Sequence, residues 1–82
     1  MEIEKMGMEY EIEYYGVVEL TQDMVLMDLG LNTLSNEKIM IELKKERIYL
    51  CLHVVCDETL LCLAKMIRLV LTYCDKAVIK EI

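Results

Sequence analysis

Several features of enzymes and of multidomain proteins are missing from this 82-residue chain. It contains no proline and only three glycines, at positions 7, 16 and 30. Without a proline-rich linker, a low-complexity tract or an internal repeat, nothing divides the chain, and its length suits one domain. Glycines this scattered cannot form a phosphate-binding loop, and neither a dinucleotide-binding motif nor a Walker loop occurs.

Residues that support nucleophilic catalysis are equally scarce. The chain has one histidine, His53, with no serine beside it, and neither G-x-S-x-G nor H-E-x-x-H is present. A catalytic triad has little to be built from, and we expect a protein that is not an enzyme.

Basic residues and export signals are also in short supply. Nine Lys and Arg stand against fifteen Asp and Glu, which gives a formal net charge of 9 − 15 = −6. This charge repels phosphate backbones and argues against nucleic acid as a partner. The sequence has no secretory leader pattern, and no apolar run approaches the roughly 18 residues that span a bilayer. We expect a cytoplasmic protein, away from membranes, whose thiols stay reduced.

The first clear element is a half-buried strand. From Met8 to Tyr14 apolar and charged residues alternate strictly, with Glu9, Glu11 and Glu13 on one face. Gly16 permits a turn or bulge, so residues 17–20 either extend this strand or form its hairpin partner in an antiparallel meander.

A helix, a strand and a hairpin follow. Thr21 suits the N-cap of a helix from about 21 to 29, which Gly30 ends in the left-handed conformation. Alternation resumes in a strand at 38–43, and a charged loop leads to 48–55. That segment is almost wholly apolar, which predicts a central strand covered on both faces.

A long helix and a short strand complete the pattern. Asp57 suits the N-cap of a helix that runs to Tyr73, and residues 77–82 are compatible with a last strand. The order β-α-β-β-α-β predicts one α+β domain over residues 1–82, in two layers. Its antiparallel or mixed sheet carries two helices on one face.

The helix at 57–73 is more apolar than a two-layer fold requires. One apolar face is predicted to be buried, and its members are Leu60, Leu63, Ile67, Val70 and Leu71. Other apolar side chains lie on its flanks, although a helix on a sheet needs one buried face only. The surplus predicts packing on the other helix or a homodimer contact through helix 57–73.

Oxygen ligands concentrate between positions 19 and 37. Asp28 falls at the carboxyl end of the predicted helix, where the helix dipole disfavours a negative charge that no cation offsets. The candidate ligands are Glu19, Asp23, Asp28, Asn32 and Glu37. An EF-hand loop starting at Asp28 fails, because Thr33 and Ile39 stand where glycine and glutamate are needed. We predict a divalent-cation site outside the EF-hand class, with calcium as the ion; a plain charged loop is the alternative.

A thiol or zinc site is a further alternative. Cys51, His53 and Cys56 form C-x-H-x-x-C, and Cys51 and His53 would point to the same face of a strand. Either Cys62 or Cys74 would have to supply a fourth ligand. The competing interpretation is four core thiols and an ordinary histidine, since cysteine is often buried.

Taken as a whole, the sequence resembles small uncharacterised acidic α+β proteins of methanogenic archaea. The resemblance runs from MEIEKMGMEYEIEYYG through TQDMVLMDLGLNTLSNEK to the cysteine-bearing end and contains no functional signature. It implies a cytoplasmic, acidic domain with an anionic pocket suited to calcium, without placing that pocket on particular residues.

Overall fold

The computed structural model of the protein describes residues 7–16 and 19–82. Its elements are, in chain order, β1 (Met8–Tyr15), α1 (Gln22–Leu29), β2 (Ile39–Lys44), β3 (Arg47–Leu52), α2 (Asp57–Tyr73) and β4 (Lys76–Glu81). The predicted α+β fold and its element order are confirmed. Val17 and Val18, on which the choice between a strand extension and a hairpin rests, lie outside the described residues.

The four strands form one antiparallel sheet in the order β2-β3-β1-β4. With a helix in each crossover, this is the split βαβ, or ferredoxin-like, connectivity. One sheet face and both helices enclose a single core, in which Ile12, Ile48, Leu50, Val25 and Val70 are fully buried.

The other face of the sheet is open, which corrects the prediction for β3. Arg47 is exposed there, and Tyr49 and Cys51 are half-buried. Residues of β3 at alternate positions, such as Ile48 and Leu50, fill the core instead. The strand is central in the sheet but covered on one face only, because both helices pack on the same side.

Specific residues define both ends of α1 and the start of α2. The Thr21 hydroxyl accepts a hydrogen bond from the Met24 amide at 3.4 Å, and Gly30 ends α1 with φ 70° in the left-handed region. At the start of α2, Cys56 takes the N-cap position predicted for Asp57. The buried Thr59 hydroxyl accepts from the Cys56 amide at 3.0 Å and donates to the Val54 carbonyl at 2.6 Å, which ties α2 to the end of β3.

The orientation of α2 about its axis differs from the predicted one. Its buried residues are Thr59, Cys62, Met66, Leu69 and Val70. Leu60 and Leu71, predicted to lie on the sheet, are 42% and 56% exposed. The helix presents to solvent part of the apolar face that the sequence assigned to the core.

The two edges of the sheet are built differently. Along β2, the Ile41 amide donates to the Leu34 carbonyl at 2.7 Å and the Asn36 amide donates to the Ile39 carbonyl at 2.9 Å, so the preceding segment covers this edge. The Asn36 side chain fixes that segment by accepting from the Lys38 and Ile39 amides at 2.8 and 3.0 Å. Along β4, no backbone hydrogen bond within residues 7–16 and 19–82 engages the outer side of Ala77 or Ile79.

Candidate functional site

An apolar stripe runs along α2 beside the residues that face the core, and its Ile67 packs partly against that core. Its residues are Leu60, Ala64, Ile67 and Leu71, of which Ile67 is half-buried and the others are exposed. The spacings of four, three and four residues keep all four side chains within one narrow sector of the helix. A stripe with this spacing is the seam that one helix presents to another.

The stripe residues do not line the cleft that α2 shares with α1. Arg68, Leu69 and Thr72 line that cleft and lie about 70° to 170° around the helix axis from the middle of the stripe. The helix also contacts β4, an outermost strand of the sheet.

An exposed apolar residue of β4, Ile79, lies on the side of the sheet that carries the helices. This residue lies opposite Ile12 in the β1–β4 ladder, and directly opposed residues share a face, so Ile79 points to the helix side of the sheet. Ile12 is fully buried, whereas Ile79 is 43% exposed because β4 is an outermost strand of the described sheet. We call Leu60, Ala64, Ile67, Leu71 and Ile79 the edge surface.

A cleft of about 580 Å³ separates the two helices on the other side of α2. Asp28 lies there, with Oδ1 3.9 Å from an Arg68 guanidinium nitrogen. Its Oδ2 is buried and has no hydrogen-bond partner among the described residues. A buried carboxylate oxygen in this state favours a cation or a donor in the cleft.

The five predicted cation ligands do not form one cluster around Asp28. Asp23 is on the same helix but five residues earlier, which separates the two carboxylates by about 140° around the axis and about 7.5 Å along it. Glu19 precedes the opposite end of α1, and Asn32 and Glu37 are exposed in the connection to β2. Within residues 7–16 and 19–82, no three His, Cys, Asp or Glu side chains are arranged to hold a metal ion.

Two of the residues named for the thiol or zinc alternative, Cys51 and His53, lie close together. The Cys51 Sγ lies 3.7 Å from the His53 Nδ1, so these side chains do share a face. Cys56 sits at the start of α2, where hydrogen bonds from the Thr59 backbone and side chain lower its thiol pKa. Burial raises the pKa of Cys62 and of Cys74, which favours the protonated thiol and disfavours both as zinc ligands.

Each of the three glutamates on the predicted acidic face of β1 has a polar or basic partner. Lys80 donates to Glu13 at 3.2 Å, Arg47 lies 3.9 Å from Glu11, and the Tyr49 hydroxyl donates to Glu9 at 2.8 Å. The hydrogen bond from Lys80 and its charge lower the pKa of Glu13. Two of these partners, Lys80 and Arg47, carry a positive charge that reduces the negative potential of the open face.

Comparisons with known proteins leave the site to be interpreted from its geometry. No protein-family model, no curated protein and no solved structure matches the chain. Of the two described helices, neither has the length and apolar character needed to cross a membrane.

The sequence predicted that α2 has more apolar residues than the core requires, but it did not predict that Ile79 is exposed. The signal was present in residues 77–82, which the sequence marks only as a short strand. Its exposure depends on β4 being outermost in the sheet, and strand order is not encoded in any local pattern.

Proposed function

We propose that this protein is a small interaction module that self-associates through the edge surface. The observation that carries the proposal is an apolar stripe on α2 together with Ile79, which is exposed on the helix side of an outermost strand. Apolar side chains grouped in this way favour association, since removing them from water stabilises a complex.

The spacing of the stripe favours a second copy of the chain as the partner. Gaps of four, three and four residues read the same in both directions, so two antiparallel copies of α2 align all four positions. Leu60 then lies beside Leu71 of the second copy, and the small Ala64 lies beside the larger Ile67. Two-fold interfaces require this self-complementarity.

Leu71→Glu tests the proposal, because a buried carboxylate in an apolar seam strongly disfavours association. Sedimentation equilibrium over about 1 to 200 µM spans the affinities expected of a small interface. We expect the parent protein to dimerise in this range and Leu71→Glu to remain monomeric. Leu71 is largely exposed in one chain, so its replacement should leave the fold unchanged by circular dichroism.

Leu61→Glu is the matched control. Leu61 is 55% exposed on the same helix, but it lies about 100° around the axis from Leu60 and outside the stripe. We expect this variant to dimerise like the parent protein. A parent protein that stays monomeric throughout the range contradicts the proposal, as does equal weakening by both variants.

Divalent-cation binding, with calcium as the ion, is a second candidate function. It is favoured by the buried, unpartnered Oδ2 of Asp28 at the carboxyl end of α1, where the helix dipole adds negative potential. Backbone carbonyls at the helix end and water molecules would complete the oxygen shell that calcium prefers. Arg68 opposes this function, because its charge competes for the same carboxylate.

A calcium titration followed by backbone amide shifts tests this second function. Saturable shifts should centre on residues 26–31 and on the facing turn of α2, and Asp28→Asn should abolish them. Asp23→Asn removes one charge from the same helix and should preserve them. Equal, non-saturating shifts in all three proteins would mean general counterion attraction and would contradict a specific site.

A further inference from the structure

We propose that β4 pairs with β4 of a second copy, antiparallel and centred on Ile79, so that two four-stranded sheets join into one of eight strands. This inference rests on the proposed self-association and adds the backbone contact and the register.

The hydrogen-bond phase of β4 supports the pairing. The Ile82 amide donates to the Glu9 carbonyl at 2.9 Å, and the register places Lys80 opposite Glu11 and Val78 opposite Glu13. In an antiparallel ladder every second residue bonds to the same neighbour. The amides and carbonyls of Ala77 and Ile79 therefore point outward, toward the position of a fifth strand.

The side chains restrict the possible registers. Directly opposed residues share a face, so a two-fold pairing must be centred on a residue. Centring on Val78 opposes Lys76 to Lys80 of the second copy, and centring on Lys80 opposes two lysines. Centring on Ala77 places Ile79 against Asp75.

Centring on Ile79 avoids opposed lysines and keeps Ile79 away from Asp75, and it places Ala77 opposite Glu81 of the second copy. Ile79 then meets Ile79 of the second copy on the side of the sheet that carries α2. On the open face Lys80 lies opposite Val78 of the second copy, and its charge is already compensated by Glu13 at 3.2 Å. Of the registers centred on Ala77, Val78, Ile79 and Lys80, this one alone places two large apolar residues at the centre without opposing like charges.

The helix and strand also agree on the position of the two-fold axis. The midpoint of the stripe falls between Lys65 and Met66, about 11 Å along the helix from its end at Tyr73. Ile79 lies about 10 Å along β4 from Lys76. Since α2 and β4 are antiparallel and joined by two residues, one axis can pass through both midpoints.

Amide hydrogen exchange tests the strand pairing. The Val78 and Lys80 amides bond to β1 and should be protected at every protein concentration. The Ala77 and Ile79 amides should exchange rapidly at concentrations where the protein is monomeric and slow at least tenfold where it is dimeric. In Leu71→Glu these two amides should exchange rapidly at all concentrations.

The outcomes separate this inference from the proposed function. A dimer in which the Ala77 and Ile79 amides exchange as in the monomer would overturn strand pairing and retain self-association through α2. A protein that is monomeric at all concentrations would overturn both.

Oxidative cross-linking tests the register in a Cys51→Ser, Cys56→Ser background. Ile79→Cys places two thiols on opposed residues about 5.5 Å apart, within disulfide reach, and should give a covalent dimer. Val78→Cys places its thiols on diagonal positions about 7 to 8 Å apart and should not cross-link. The reverse result would overturn the Ile79-centred register.

Discussion

The two edge strands of the sheet, β2 and β4, differ in whether another described segment of the chain hydrogen-bonds to their outer side. At β2 the chain folds back on itself, and residues 34–36 bond to the outer side of the strand. At β4 the outward groups of Ala77 and Ile79 meet no such segment within the described residues. An uncovered edge next to apolar side chains invites pairing with another chain, and proteins usually block this with charge, bulges or a covering segment. Within the described residues, the outer side of β2 is covered by a neighbouring segment and the outer side of β4 is not.

Converting the open edge into a blocked one should have the largest effect. Ile79→Lys places two lysines face to face at the centre of the proposed contact, which introduces repulsion and removes apolar burial. We expect the dissociation constant to rise about a hundredfold or more, with little change in the fold, by sedimentation equilibrium. Met27→Lys is the control, because Met27 is 87% exposed on α1 and carries the same charge change. Unaltered dimerisation of Ile79→Lys would remove β4 from the interface.

Loosening the cover on the closed edge should have an intermediate effect. Asn36→Ala removes the acceptor of the Lys38 and Ile39 amides, and losing such a side-chain cap costs about 1 kcal/mol. We expect that loss in urea denaturation, together with faster hydrogen exchange of the Ile41 amide. Asn32→Ala, an exposed asparagine of the same connection, should change neither. Equal exchange of Ile41 in both variants would mean that the cover does not depend on Asn36.

The smallest expected effect concerns the open face of the sheet and involves no outward-facing group of either edge strand. The hydrogen bond to Glu9 raises the pKa of Tyr49 to about 12. Because the folded pKa exceeds the ordinary value near 10, this contact stabilises the protein fully below pH 10 and progressively less as the pH rises toward 12. Tyr49→Phe should therefore lower the free energy of unfolding slightly at pH 8 and by less at pH 11, by urea denaturation. An equal difference at both pH values would argue against this assignment.

Local patterns predicted the elements well because each is specified by nearby residues. The alternation in β1, the Thr21 cap and the glycine after α1 are signals of short range, and helix 57–73 has the predicted bounds. The apolar run at 48–55 did not show where its strand ends, because a buried strand and the segment that leads into a helix can have the same apolar composition. Its strand ends at Leu52, and Val54 is exposed.

The candidate site was harder to predict because it depends on contacts that are distant in sequence. Apolar residues cover so much of α2 that periodicity alone does not select which side faces the sheet, and Met66 and Leu69 took the place assigned to Leu60 and Leu71. Whether Ile79 is buried depends on strand order. The predicted cation ligands are close in sequence, but the helix between them directs Asp23 and Asp28 to different sides.

The position of β1 in the middle of the sheet has a consequence for how the chain acquires its fold. Tyr10 lies opposite Leu50 and Tyr14 opposite Ala77, separations of 50 − 10 = 40 and 77 − 14 = 63 residues. Closing such long loops is entropically costly, so folding should be slow for a chain of this size. During synthesis on a ribosome, β1 would emerge long before its neighbours β3 and β4. Ile12 would then stay exposed to solvent until these strands are synthesised and pair with β1. β4, whose outer side no described segment covers, is therefore also the last of the described strands to pair with β1.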